Sequence, residues 1–245
     1  MLKKNKTDCR CSESNIEYIE HVVKEVFSSG AFKYELMNDI MSVCLQRLWK
    51  RYIAADIAIK DKDHSIDVAG GSGDLSILFK KKNPKASVIH SDINQSMLEE
   101  GQKKIIDQGL IISSMLINAE QIPFPDNSFH LVSIGFGLRN MTNKQSVLNE
   151  VFRCLKPGGR IVILEFSKIH PSLEKIYDLF SFKIIPKIGK KIADDEKSYQ
   201  YLAESIRVHP DQSTLLQMLN EAGFCKTKYT NLSAGIVAVH SGYKS

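Results

Sequence analysis

This sequence lacks any apolar run near the ~18 residues that a membrane-spanning helix needs, so a spanning protein is not expected. Its Lys-rich start (Lys3, Lys4, Lys6, Arg10) has no apolar stretch behind it, unlike a secretory signal, and Asp8 and Glu13 speak against a transit peptide. Residues 1–14 are expected to be a disordered tail. Cysteine pairs with metal or redox spacing are missing too. Cys9, Cys11, Cys44, Cys154 and Cys225 are odd in number, irregularly placed and without a Cys-x-x-Cys. That argues against a zinc site or disulfide framework. No metal is expected, and a reduced, cytosolic compartment fits best. A concentrated basic stripe is also absent. The net charge of +5 is spread along the chain, so no nucleic-acid partner is expected. The densest basic run, Lys80 to Lys85, reads as a solvated helix end whose lysines complement the helix dipole. No internal repeat or low-complexity segment is visible.

What is present is a core-sized globular composition: 43% hydrophobic and 25% charged residues over 245 positions, enough for one α/β domain. Helical spacing covers 16–27 and roughly 42–58. From residue 64 short apolar runs alternate with helical stretches. Strands are predicted at 65–69, 86–90, 113–117, 129–134 and 160–166, with helices at about 74–82, 95–108 and 143–155. This alternation predicts βαβ units and a mostly parallel sheet. Lys156-Pro157-Gly158-Gly159 reads as a turn between helix and strand. Residues 171–208 break the rhythm with mixed aromatics and lysines. A helix at about 213–222 and two runs, 224–230 and 235–240, follow; the two runs can pair antiparallel at one sheet edge.

Chemistry concentrates where strands end. The first strand, with Asp67 inside it, runs into Gly70-Gly71-Ser72-Gly73-Asp74 and a helix. Such glycines permit a sharp turn and close approach of a ligand. Asp92 closes the next strand, where a carboxylate can accept from a ribose diol; a helix cap is its plain alternative. The dinucleotide fingerprint wants a third glycine where this chain has Ser76. S-adenosylmethionine (SAM) has no pyrophosphate and does not need that glycine, so SAM is favoured over NAD. Asn118-Ala119-Glu120 and Gly135-Phe136-Gly137-Leu138-Arg139-Asn140 fall on the ends of the third and fourth strands, where open α/β sheets bind ligands.

From about residue 20 onward the chain resembles the ubiquinone/menaquinone biosynthesis C-methyltransferases of the UbiE type. The likeness rests on Tyr34 to Ser42 continuing to Trp49, on Arg153-Cys154-Leu155-Lys156-Pro157-Gly158-Gly159 through Glu165-Phe166-Ser167, on Gly137 to Asn140, and on Tyr201 to Ile206. The chain departs from the family pattern at Glu35, Gln46 and Cys154, and at Gly135 where the family has Ser. The resemblance implies a Rossmann-like class I methyltransferase over residues 15–245, with a mostly parallel seven-stranded sheet, helices on both faces and an antiparallel C-terminal edge strand. It implies SAM as cofactor, with Gly71, Ser72, Gly73, Asp92, Asn118, Ala119 and Gly135 around it. It also implies methyl transfer to a ring carbon of a polyprenyl quinol. Arg139 and Asn140 are the acceptor-side candidates, Arg139 as stabiliser of a phenolate, with His209 and Tyr201 as candidate bases. In 171–208, Phe180, Phe182, Ile184, Ile185 and Ile188 alternate with lysines. They read either as a membrane-surface lip or as an ordinary amphipathic cover. A homo-oligomer or a quinone-biosynthesis complex is a further expectation. A SAM-binding scaffold without turnover, or a methyltransferase for another aromatic or lipid acceptor, remains open.

Overall fold

A computed structural model describes Ser42, residues 45–170, Ser172 and residues 204–245. The expected tail, the helix at 16–27, Tyr201 and the apolar–lysine pattern at 180–191 lie outside the described residues.

Helix α1 (Gln46–Asp56) precedes the sheet. Strand β1 (His64–Val68), helix α2 (Asp74–Lys82), strand β2 (Ser87–Asp92), helix α3 (Gln95–Asp107) and strand β3 (Ser113–Leu116) form two successive βαβ units. Strand β4 (Phe129–Gly135), a 3-10 turn at Leu138–Asn140, helix α4 (Lys144–Cys154) and strand β5 (Leu155–Phe166) form the other half. Helix α5 (Gln212–Glu221), strand β6 (Cys225–Leu232) and strand β7 (Val237–Tyr243) complete the chain. The seven strands lie in the order β3-β2-β1-β4-β5-β7-β6. The first five are parallel, and β7 runs antiparallel to both β5 and β6. The order reverses direction between β1 and β4. Adjacent crossovers diverge there and leave a crevice at the strands' C-terminal ends.

The helices start where side chains can cap them. Asn94 accepts from Met97 N, Asn143 from Ser146 N and Asp211 from Thr214 N. Each caps an otherwise orphaned amide. Along α4, Val147, Leu148 and Val151 are fully buried. Their spacing fits a helix with one face on the sheet, and each such burial contributes roughly 1.5–3 kcal/mol. They join Ile66, Val68 and Val132 in one apolar core. A second core gathers Trp49, Ile53, Leu75, Phe79 and Ile105 from α1, α2 and α3.

Two local readings change. Lys156 to Gly159 is not a free turn but part of β5. Gly158 N donates to Lys244 O, Lys244 N donates to Gly159 O, and Leu155 pairs with Phe129 before a register shift. The turn survives as a bulge within the strand: β5 advances from Leu155 to Arg160 while β4 advances only from Phe129 to Leu131, with Gly158 at φ +76°. The lysines of 80–82 are more than a solvated end. Lys82 Nζ donates to Ala54 O (2.6 Å), Ala55 O (2.9 Å) and Ile57 O (2.5 Å), closing the C-terminus of α1.

Candidate functional site

The loop after β1 is held from several sides. Gly70 N donates to Ser91 O, and Gly73 N returns to Gly70 O. Gly71 takes φ +54° and Gly73 φ +78°, the left-handed region that glycine enters without a Cβ penalty. Gly71 N donates to Asp92 Oδ2 at 2.9 Å, and Asp92 Oδ1 accepts from Asn94 N at 2.9 Å. Asn94, not Asp92, therefore caps α3. Asp92 is 8% exposed. Burial raises its pKa, opposed by the amides of Asn94 and Gly71 and by the neighbouring His90. A carboxylate so placed gains from any further hydroxyl donor. Ser72 is buried within the same turn.

Two residues that the motif reading missed support this loop. His90 is fully buried; Nε2 lies 2.9 Å from Gly71 O and Nδ1 3.2 Å from Ser114 Oγ. A carbonyl only accepts, so Nε2 donates to Gly71 O. Gly101 on α3 makes room for that ring. A Cβ there would come within 2.5 Å of His90 Cε1 and 2.7 Å of Gly71 O. Gly101→Ala is expected to displace His90 and the loop together, lowering both the melting temperature and SAM affinity. Calorimetry and a thermal melt read the two. No sequence motif marks either residue, because both act through contacts between separate elements.

Asp67 anchors the base of the loop. Its Oδ1 accepts from Ser133 Oγ (2.6 Å) and its Oδ2 from Ser76 Oγ (2.9 Å) and Ser76 N (3.2 Å). Burial raises its pKa, opposed first by the Ser133 hydroxyl. Ser76, at the position of the missing third glycine, uses its hydroxyl to tie α2 to β1. Asp74, the first residue of α2, bridges Lys50 on α1 and Lys104 on α3, each at 2.7 Å. Despite burial, the two lysines hold its pKa down at about 2. A depressed carboxylate stabilises the fold above its unfolded pKa and loses that contribution as pH falls from 3.8 toward about 2. Asp74→Asn is expected to lose about 2 kcal/mol at pH 7 and to differ little from the parent near pH 2. Urea unfolding across that range checks it.

Asn118 and Ala119 follow β3. Asn118 is exposed, and its Oδ1 accepts from Glu120 N at 2.9 Å; Ala119 is buried. Ile93, directly after Asp92, is an apolar side chain left 65% exposed at a strand end. The motif reading passed over it, although an apolar residue following the strand-end acid was a readable signal. At Gly135 an added Cβ would meet Leu75 Cδ1 at 2.8 Å, so this position offers backbone only. Two non-glycine residues with positive φ, Ala69 (+52°) and Phe136 (+61°), sit just beyond the neighbouring strands β1 and β4. Such strain gathers at functional sites.

Beyond β4 the acceptor-side candidates meet. Arg139 is not a surface arginine. Its Nη1 donates to Glu165 Oε1 at 2.8 Å and to Phe136 O, and both charged side chains are 1% exposed. Arg139 N donates to Glu165 Oε2 (3.1 Å), and the guanidinium lies 5.3 Å from the Phe166 ring centroid. His209 is buried beside this pair, and among the described residues its Nδ1 has no hydrogen-bond partner. Burial pushes its pKa down to about 4. Glu165 opposes the shift, while Lys144, Arg139 and His240 add to it. His209 is therefore a neutral imidazole at pH 7. Asn140, half-buried, closes the 3-10 turn, with its N–H donating to Gly137 O. The fold thus brings Arg139 and His209 into one buried cluster and adds Glu165, known from the sequence only as part of a resembling segment. Tyr201 lies outside the described residues.

These features fit SAM. The turn holds Gly71 and Gly73 at positive φ and packs them against Met97 and Ile105, leaving only backbone toward a ligand; Asp92 is a buried acceptor, and Ile93 offers an open apolar face. Among the described residues, no group of three or more His, Cys, Asp or Glu side chains could hold a metal ion.

A family model described as the ubiE/COQ5 methyltransferase family matches residues 15–244. A relative from Laribacter hongkongensis, named ubiquinone/menaquinone biosynthesis C-methyltransferase UbiE, is 51% identical over 223 residues, covering 91% of each chain. One of the same name from Hydrogenovibrio crunogenus is 50% identical over 245 residues, covering 98% of this chain and 96% of its own. Among solved structures, a SAM-dependent methyltransferase from Aquifex aeolicus superposes with a TM-score of 0.61 at 16% identity. It covers 85% of this chain and 98% of its own, a likeness of fold.

Proposed function

This chain belongs to the ubiE/COQ5 methyltransferase family, and on that premise we propose that it transfers a methyl group from SAM to a ring carbon of a polyprenyl quinol in ubiquinone and menaquinone biosynthesis. The acceptor is 2-methoxy-6-polyprenyl-1,4-benzoquinol, demethylmenaquinol or both. The observation that carries this reading is identity of about one half over nine-tenths of the chain with relatives named for that reaction.

Bound SAM supplies an electrophilic sulfonium methyl. Asp92 accepts from its ribose hydroxyls, and the turn at Gly71, Ser72 and Gly73 receives its amino-acid end. Asn118 uses Oδ1 on Glu120 N, so its amide NH2 is the group that addresses an adenine acceptor. Ala119 and Ile93 offer apolar surface to the ring. Gly135 contributes backbone alone.

The quinol ring carbon becomes nucleophilic as the adjacent phenol, with a reference pKa near ~10, gives up its proton to solvent; the ring carbon's own proton follows to solvent as the ring regains aromaticity, and the sulfur would leave as the neutral thioether S-adenosylhomocysteine. Arg139 stays charged and cannot act as a base; held by Glu165, it stabilises the developing phenolate. Asn140 borders the same end of the sheet. His209, neutral at pH 7, offers Nδ1 as a hydrogen-bond acceptor to the phenol. The quinone, lacking that proton, is not the substrate. Most of the rate comes from holding the two reactants in line.

Purified protein incubated with SAM and demethylated benzoquinol or naphthoquinol should yield the C-methylated product by mass spectrometry. Tight SAM binding without product from either quinol would favour the scaffold reading instead. No helix among the described residues is long and apolar enough to cross a membrane. A polyprenyl acceptor nevertheless resides in a bilayer, so the reading includes peripheral contact through the 171–208 segment. Failure to co-sediment with anionic vesicles would remove that part. Light scattering tests a homo-oligomer, and co-purification tests a quinone-biosynthesis complex.

A further inference from the structure

The connection from β3 to β4 carries Asn118 and Ala119 and has no regular structure across residues 117–128. It is fastened to α4 chiefly through one arginine and its neighbour. Arg153 Nη2 donates to Ile122 O at 2.9 Å. Nη1 donates to Phe124 O and to Asp126 Oδ1, both at 2.8 Å. Nε and Nη2 donate to Glu150 Oε1 and Oε2, both at 2.9 Å. Glu150 Oε2 in turn accepts from Ile122 N at 3.0 Å. Both backbone polar groups of Ile122 are thus gripped by a single helix face, and the Ile122 side chain is buried beneath. A second tie, Asn143 N to Glu120 Oε1 at 2.9 Å, joins the same loop to the start of α4.

We propose that Arg153 is a positioning residue for the cofactor. Its fork fixes the path of the 118–126 loop and, through it, the places of Asn118 and Ala119. The inference rests on the reading of those two residues as SAM contacts. The geometry demands arginine, because one planar guanidinium reaches two carbonyls and two carboxylates at once. A lysine ammonium is a compact point charge that cannot span them. Glu150 completes the clamp by orienting the guanidinium and holding Ile122 N.

The test uses the full chain with SAM as probe. Arg153→Lys, Arg153→Met and Asn118→Ala are compared by calorimetry, steady-state kinetics and unliganded thermal melts. Both Arg153 variants are expected to raise the SAM dissociation constant and the KM for SAM about tenfold. The quinol KM and kcat at saturating SAM should change by less than about twofold. Combined with Asn118→Ala, Arg153→Lys should add little further loss, because both act on one loop. A purely structural role would lower the melting temperature and leave SAM affinity unchanged; that result in the folded Arg153→Lys protein overturns the inference. Unchanged affinity in Asn118→Ala overturns a different statement, the assignment of Asn118, while the Arg153 variants alone still decide whether the clamp sets affinity.

Discussion

Asp92→Ala is expected to weaken SAM binding about a hundredfold while leaving a folded protein. The carboxylate is buried and accepts from Gly71 N and Asn94 N. Asp92 is the last residue of β2, the strand beside β1, so it stands at the same C-terminal edge of the parallel strands as the glycine turn. Hydrogen bonds to a charged acceptor contribute about 1.5–3 kcal/mol each, and about 1.4 kcal/mol corresponds to a factor of ten in affinity. Two lost ribose bonds therefore account for the hundredfold, with loosening of Gly71 adding to it. Asp92→Asn should fall between, since its single oxygen cannot serve both backbone amides and a diol. Isothermal calorimetry gives the affinities and circular dichroism checks the fold. Affinity within about threefold of the parent in a folded Asp92→Ala protein would remove Asp92 from the cofactor site.

The site was legible in the sequence where its parts are local. Strand, glycine turn and helix follow one another at 64–82, and Asp92 ends the next strand, so period and turn chemistry were enough to find them. The supports under the loop were not legible. His90 reaches Gly71 O, and Gly101 gives the ring its space from another helix. Nothing in the residues flanking either one encodes the meeting. The same holds for Glu165, which became the partner of Arg139 only when β5 was laid beside β4. The turn at Lys156 to Gly159 is the converse case. Its local preference is plain and it bulges out of the β4–β5 ladder as expected, but its inclusion in β5 and its ties to Lys244 come from distant chain that the local sequence does not show. Ile93 marks a third kind of gap: its place after a strand-end acid is readable in the sequence, but the exposure that makes it an open apolar face is not.

The second large effect concerns Arg139, and the buried pair complicates its simplest test. Removing one partner of a buried ion pair leaves the other uncompensated and costs about 3–5 kcal/mol. Arg139→Ala alone would therefore lose activity whether the guanidinium acts on substrate or only holds the fold. Arg139→Met with Glu165→Gln removes both charges at similar volume. The side-chain oxygen that Glu165→Gln retains still accepts from one of the two backbone amides, that of residue 139 or that of Phe166. This double variant should recover most of the stability lost in Arg139→Met, because neutral pairs of matched size replace buried ion pairs at little cost. It should bind SAM as the parent does, because Asp92, His90 and the glycine turn are untouched. Its kcat should remain about 100- to 1000-fold down, the cost of losing one preorganised stabiliser of a developing oxyanion. Thermal melts, SAM calorimetry and single-turnover methylation separate the three quantities. Turnover restored along with stability would show that Arg139 serves the fold alone. Stability restored without turnover would place its charge at the reacting phenol.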